Sequence, residues 1–158
     1  MNLFLVRHAK SESASGKKSD SDRELTTEGI LILKNSIEVW KNYLTKIDYI
    51  ISSPILRAVQ TAEQIKTGFN FSSDILKDHL LLPGSDATDY LHVIKAHKSE
   101  NLILVGHQPD ISDAISSFIG CENFDIPFKP ASLAKITFNG KPALSRGMLE
   151  ILIPPVLK

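Results

Sequence analysis

An α/β fold, a three-layer α/β/α arrangement with a mostly parallel central sheet, is predicted by two features of the amino-acid sequence. Short unbroken apolar runs alternate with longer stretches whose apolar residues recur at intervals of three and four. That strand–helix alternation places helices on both faces of a parallel sheet. In addition, three of the apolar runs end on cationic or hydrogen-bonding residues. Leu3 to Val6 leads into Arg7-His8, Tyr49 to Ile51 into Ser52-Ser53-Pro54 and on to Arg57, and Leu102 to Val105 into Gly106-His107. Ligands bind at the carboxyl edge of open α/β sheets, so these three ends predict one site.

Asn2 to Arg7 has the apolar character of a strand buried on both faces. The serine-rich stretch from Lys10 to Arg23 reads as a loop; it is long for a connector, and following His8 directly it is placed to fold over a substrate. From Thr27 to Thr45, Ile30, Leu33, Ile37, Trp40 and Leu44 mark an amphipathic helix, with Trp40 in the core. After the second strand, Ser53 reads as an N-cap and Pro54 as the first residue of a helix reaching about Lys66. Arg57 falls in its opening turn, with Val59, Ala62 and Ile65 toward the sheet. An extended piece from Ile75 to Leu82 meets the turn signal Pro83-Gly84. Asp86 to His97 and Pro109 to Ile119 read as the third and fourth helices, and Ala131 to Phe138 and Leu149 to Ile153 as late strands.

The strand ends carry a chemistry. A nucleophilic imidazole must be neutral to attack phosphorus, and a neighbouring guanidinium both lowers its pKa and holds phosphoryl oxygens. Arg7 beside His8 meets that need. Arg57, at the start of a helix, would add a planar fork where free N–H groups and the helix dipole already favour an anion. Of the 18 lysines and arginines only Arg7, Arg23, Arg57 and Arg146 are arginine, and two of these four sit at strand ends. No Gly-rich dinucleotide or Walker pattern occurs, so phosphate here would be held by side chains.

Arg7-His8-Ala9, Ser53-Pro54-x-x-Arg57-Ala58-x-Gln60-Thr61 and Gly106-His107-x-Pro109, in this order and spacing, resemble the histidine phosphatase superfamily. The short chain and Arg23-Glu24-Leu25-Thr26 look most like its SixA-type phosphohistidine phosphatases, a resemblance running from Met1 to about Phe138. It implies a phosphoglycerate mutase-like fold with one edge strand antiparallel and a phosphate pocket of Arg7, Arg57 and His107. It also implies a covalent phosphohistidine intermediate on His8, with Arg23 as an accessory phosphate contact. Many members have a carboxylic acid after the second helix, where the candidates are Asp78, Asp86 and Asp89. Asp86 is the choice as general acid, with a helix N-cap as its competing role.

At 158 residues and 42% hydrophobic content the chain reads as a single domain, residues 1–158. Zero formal net charge gives no bulk attraction to nucleic acid or to an anionic membrane, and no apolar run approaches spanning length. Arg7 interrupts the first apolar stretch too early for a signal peptide. The lone Cys121 cannot form an internal disulfide and reads as a small packed residue near a loop, which fits a reducing cytoplasm. His79, His92 and His97 read as surface residues. No metal and no cofactor are expected, because the pocket supplies its own cations. Imidazole, with a pKa of about 6.5, leaves readily once protonated, whereas an alkoxide needs a strong acid. The lack of a clear acid and a chain too short for large capping insertions therefore favour a phosphohistidine-bearing protein, such as a histidine phosphotransfer domain, as partner. The competing readings are a small-molecule phosphomonoesterase or mutase and a phosphate-binding module without turnover.

Overall fold

The computed structural model describes residues 1–14, 19–121 and 126–157. Strands β1 (Asn2–Arg7), β2 (Tyr49–Ser52), β3 (Leu76–Lys77), β4 (Asn101–Gly106), β5 (Leu133–Thr137) and β6 (Met148–Ile153) form one sheet in the order β3-β2-β4-β1-β5-β6. Helices α1 (Thr27–Trp40), α2 (Leu56–Gly68), α3 (Ala87–Ala96) and α4 (Asp110–Ile119) cover it, and 3-10 turns occupy Asp20–Asp22 and His79–Leu81.

Strand alternation splits the core in two. Leu3 and Leu5 of β1 pack with Leu102 and Leu104 of β4 against Tyr90, Ile94, Ile111 and Ile115 of α3 and α4. Phe4 and Val6, with Ile103 and Val105, face Leu33, Ile37 and Trp40 of α1 and Ala58, Ala62 and Ile65 of α2. Strands covered on both faces must be apolar at every position, which is why these runs are unbroken. β1 to β4 are mutually parallel.

Several elements differ from the expectation. The antiparallel strand is β5, which lies inside the sheet between β1 and β6, so the edge strand β6 runs in the same sense as β1. α1 stops at Trp40 because the chain turns there, with Tyr43 and Leu44 N–H groups both returning to the Trp40 carbonyl; Leu44 reaches the core from that turn. α2 begins at Leu56, two residues after Pro54, because Ile55 is still extended. Its buried stripe is Ala58, Ala62 and Ile65, whereas Val59 is only half-buried. Of the expected extended piece from Ile75, two residues join the sheet before the turn at His79. Cys121, expected packed, is exposed beyond α4. His97 is half-buried, its ring against Tyr49. Residues 15–18 of the 10–23 loop lie outside the described residues.

Candidate active site

Parallel pairing aligns the two histidines. β1 and β4 are adjacent and in a register that sets Arg7 beside Gly106, so His8 and His107 leave the sheet at the same level. The His8 N–H donates to the Gly106 carbonyl at 3.1 Å, and the two rings lie 5.3 Å apart, tilted by 54°. β2 flanks β4 on its other side, and Ser53 N–H continues the ladder onto Val105. From there the chain enters α2 and delivers Arg57 in the first turn.

His8 Nδ1 donates to the Ala9 carbonyl at 2.8 Å, an acceptor that requires the proton to sit on Nδ1. The lone pair is therefore on Nε2, and Arg57 Nε donates to it at 3.3 Å. His107 Nε2 lies 2.8 Å from Ser53 Oγ, while its Nδ1 is buried with no hydrogen-bond partner. Arg7 Nη1 donates to the Phe128 carbonyl at 2.8 Å, and its Nε is likewise buried and unpartnered. Arg23 Nη1 donates to the Glu12 carbonyl at 3.1 Å, and its Nη2 is 3.0 Å from Asp20 Oδ1. Together Arg7, His8, Arg23, Arg57 and His107 line an open cavity of about 410 Å³, walled also by Lys10 to Ser13, Asp20, Pro83, Gln108 and Pro130.

Asp86 is not among the lining residues. Its carboxylate accepts the N–H groups of Thr88 at 2.7 Å and Asp89 at 3.0 Å, and Asp89 reciprocates onto the Asp86 N–H, a full capping box for α3. The carboxylates that do line the cavity, among the described residues, are Glu12 and Asp20.

Further residues hold the site in shape. Thr61 Oγ1 donates to the Arg57 carbonyl at 2.7 Å and accepts the Ala9 N–H at 3.1 Å, tying the turn after His8 to α2. Gln60 Oε1 accepts the Leu25 N–H at 2.8 Å, anchoring the far end of the loop. Ser53 supports His107 and does not cap α2 through a short bond; its Oγ is 3.4 Å from Ile55 N. Asp110 Oδ2 accepts the Gly84 N–H at 3.0 Å and so fixes the turn that presents Pro83 to the cavity. The sequence signal for Gln60 and Thr61 was their place in the Arg57 motif, which names them without a role.

Burial sets the protonation states. The His8 pKa is pushed down to about 4, chiefly by burial, with Arg57, Arg7 and Arg23 reinforcing the shift against the stabilising bond to Ala9. His107 is pushed down to about 3 by burial and then by His8 and Arg57. Both rings are neutral near pH 7. Burial opposes ionisation of Asp20, but the hydrogen bond and charge of Arg57, with Arg23, hold its carboxyl below the usual range. Among the described residues no group of three or more His, Cys, Asp or Glu side chains is placed to hold a metal ion, and no helix is long and apolar enough to cross a membrane.

Residues 3–80 match the family model of the histidine phosphatase superfamily, branch 1. The phosphohistidine phosphatase SixA homolog of Haemophilus influenzae is 27% identical over 150 residues, covering 89% of this chain and 90% of the relative. Phosphohistidine phosphatase SixA of Escherichia coli is 26% identical over 144 residues, covering 88% and 86%. The solved structure of the protein histidine phosphatase SixA complexed with tungstate superposes with a TM-score of 0.82 at 23% identity over 98% of this chain and 97% of that one, so the two share a fold.

Proposed function

Because this chain belongs to the histidine phosphatase superfamily, we propose that it is a phosphatase that hydrolyses phosphohistidine carried on a protein, through a covalent phosphohistidine intermediate on His8. The observation that carries this reading is an imidazole whose Nε2 lone pair is unprotonated at neutral pH and faces an arginine in a cavity walled by two more.

In the first step His8 Nε2 forms a bond to phosphorus in line as the phosphorus–nitrogen bond to the substrate imidazole breaks. Arg7 and Arg57 neutralise charge on the equatorial oxygens, and Arg23 adds an accessory contact. His107 is neutral and lines the cavity, its ring 5.3 Å from that of His8, so it walls the phosphoryl site without adding a charge. The leaving imidazole departs neutral if its other nitrogen carries a proton, so no strong acid is required. In the second step water bonds to phosphorus, the bond to Nε2 breaks, a proton passes to solvent, and inorganic phosphate and neutral His8 are released. The Ala9 carbonyl holds the proton on Nδ1 throughout and keeps Nε2 as the reacting atom.

The open cavity has room for a protruding side chain, which favours a protein substrate such as a histidine phosphotransfer domain. A cytoplasmic setting belongs to the same proposal, and the free exposed thiol of Cys121 fits a reducing compartment. The test is release of phosphate from a phosphohistidine-bearing protein, from phosphoserine and from p-nitrophenyl phosphate, by the native chain and by His8→Ala. Turnover confined to phosphohistidine and lost in His8→Ala is expected. Preference for the oxygen esters would make it a general phosphomonoesterase, and no turnover of any substrate would make it a binding module.

A further inference from the structure

A cavity that is to receive a phosphoryl group already holds an anion of its own. Asp20 Oδ2 lies 3.0 Å from Arg57 Nη2 and Oδ1 lies 3.0 Å from Arg23 Nη2, so one carboxylate spans two guanidinium groups. The Asp20 carbonyl also accepts Arg57 Nη1 at 2.7 Å. Both terminal nitrogens of Arg57 are thus engaged by a single residue, while its Nε faces His8. Two carboxylate oxygens on two guanidinium forks reproduce the contacts that two phosphoryl oxygens would make, and the two anions cannot hold the same donors together. The residue that supplies this carboxylate lies at the surface. It opens the 3-10 turn Asp20–Asp22, in which no residue is buried, and its side chain is 60% exposed, whereas Arg57 is 4% exposed.

We propose that Asp20 is an internal competitor for the phosphoryl group: it occupies Arg57 and Arg23 in the resting enzyme and is exchanged for the substrate's phosphoryl oxygens. This inference rests on the reading of the cavity as a phosphoryl site. Its consequence is selective. A tethered competitor lowers the apparent affinity of every oxyanion by the fraction of time the arginines are free. Free phosphate, which gains only the pocket's contacts, is then held weakly and released after turnover. A phosphoryl group borne on a protein brings further binding surface, which offsets the cost of displacing Asp20.

The test measures binding of inorganic phosphate and of orthovanadate by titration calorimetry at pH 7 for the native chain, Asp20→Asn and Asp20→Ala. Asparagine keeps the shape and removes the charge; alanine removes the side chain, and neither touches the core. Binding about tenfold tighter in both variants is expected, equivalent to removing a carboxylate that occupies the arginines some nine-tenths of the time; the Asp20 carbonyl on Arg57 is present in the native chain and in both variants. Product inhibition by phosphate should strengthen in parallel. Unchanged or weaker binding in both variants overturns the inference, because a residue that merely positions Arg57 weakens the site when it is lost. A fall in kcat with phosphate affinity unmoved also overturns it, and would give Asp20 a role in proton transfer. Binding is read without turnover, so tighter phosphate binding in a chain that hydrolyses no phosphohistidine would remove the proposed activity and leave the competitor standing.

Discussion

Asp86 and Asp20 are both aspartates near the start of a helical turn, yet their surroundings give them opposite tasks. Asp86 spends both directions of its hydrogen bonding on the first turn of α3. Asp86→Ala should therefore lower stability by about 1 kcal/mol, a fall of roughly 2–4 °C in the melting temperature, while kcat on a phosphohistidine protein stays within twofold of native. A kcat loss of a hundredfold in a variant that melts normally would restore Asp86 as the acid. Residue chemistry was legible where it sits at a strand end. Arg7, His8 and His107 follow apolar runs, and Arg57 follows a proline in a spaced motif, so local sequence locates each of them. Asp20 acts on a partner 37 positions away, and nothing in the residues adjoining it encodes that approach; Ser53 and Thr61 stand in the Arg57 motif, which names them without giving their partners 54 and 52 positions away.

At the scale of elements, the junction between α1 and the turn after His8 leaves no room for an added atom. Thr26 caps α1 by accepting the Gly29 N–H at 3.0 Å, and the Thr26 N–H donates to the Lys10 carbonyl at 3.0 Å. A Cβ at Gly29 would come within 2.1 Å of that carbonyl oxygen, which is backbone and cannot rotate away. Helix propensity alone favours alanine over glycine there by about 1 kcal/mol, but overpacking against backbone costs about 1–3 kcal/mol. The clash should win, so Gly29→Ala is expected to melt lower and to lose turnover, because Lys10 is two residues from His8. Gly140→Ala, with nothing within 4 Å of the added carbon, is the control and should change neither. A Gly29→Ala chain more stable than native would mean that α1 is free to shift on the sheet. The elements themselves were readable where burial on both faces or a 3.6 period writes a pattern, as in β1, β4 and α1. The two-residue β3 and the interior place of β5 were not, because strand length and pairing order depend on which neighbour is present and not on the strand's own residues.

For the molecule as a whole, the site is a source of acid instability. His8 and His107 titrate near 4 and near 3 in the folded chain and near 6.5 when exposed to water. Between those values the unfolded chain binds more protons than the native one, so stability rises with pH across that interval. It is complete above about 6.5 and is lost as pH falls from there toward 4 for His8 and toward 3 for His107. The slope is at most about 1.4 kcal/mol per pH unit for each ring. Asp20, Asp48 and Glu150, whose carboxyls are held low by their partners, add to the loss only below the ordinary carboxylate range. Asp110, whose carboxyl burial pushes up, acts in the opposite sense. From pH 6.5 down to 5 the two buried cavity histidines lower stability as the unfolded chain takes up protons, with Asp110 acting against them. The urea midpoint of the native chain should fall across this window, and the fall should be much shallower in a His8→Asn, His107→Asn double variant that retains the other groups. A native midpoint level from pH 6.5 to 5 would mean that both rings take up protons at ordinary pH. His8 would then be cationic through the acid half of the physiological range, with no lone pair on Nε2 for the proposed attack on phosphorus.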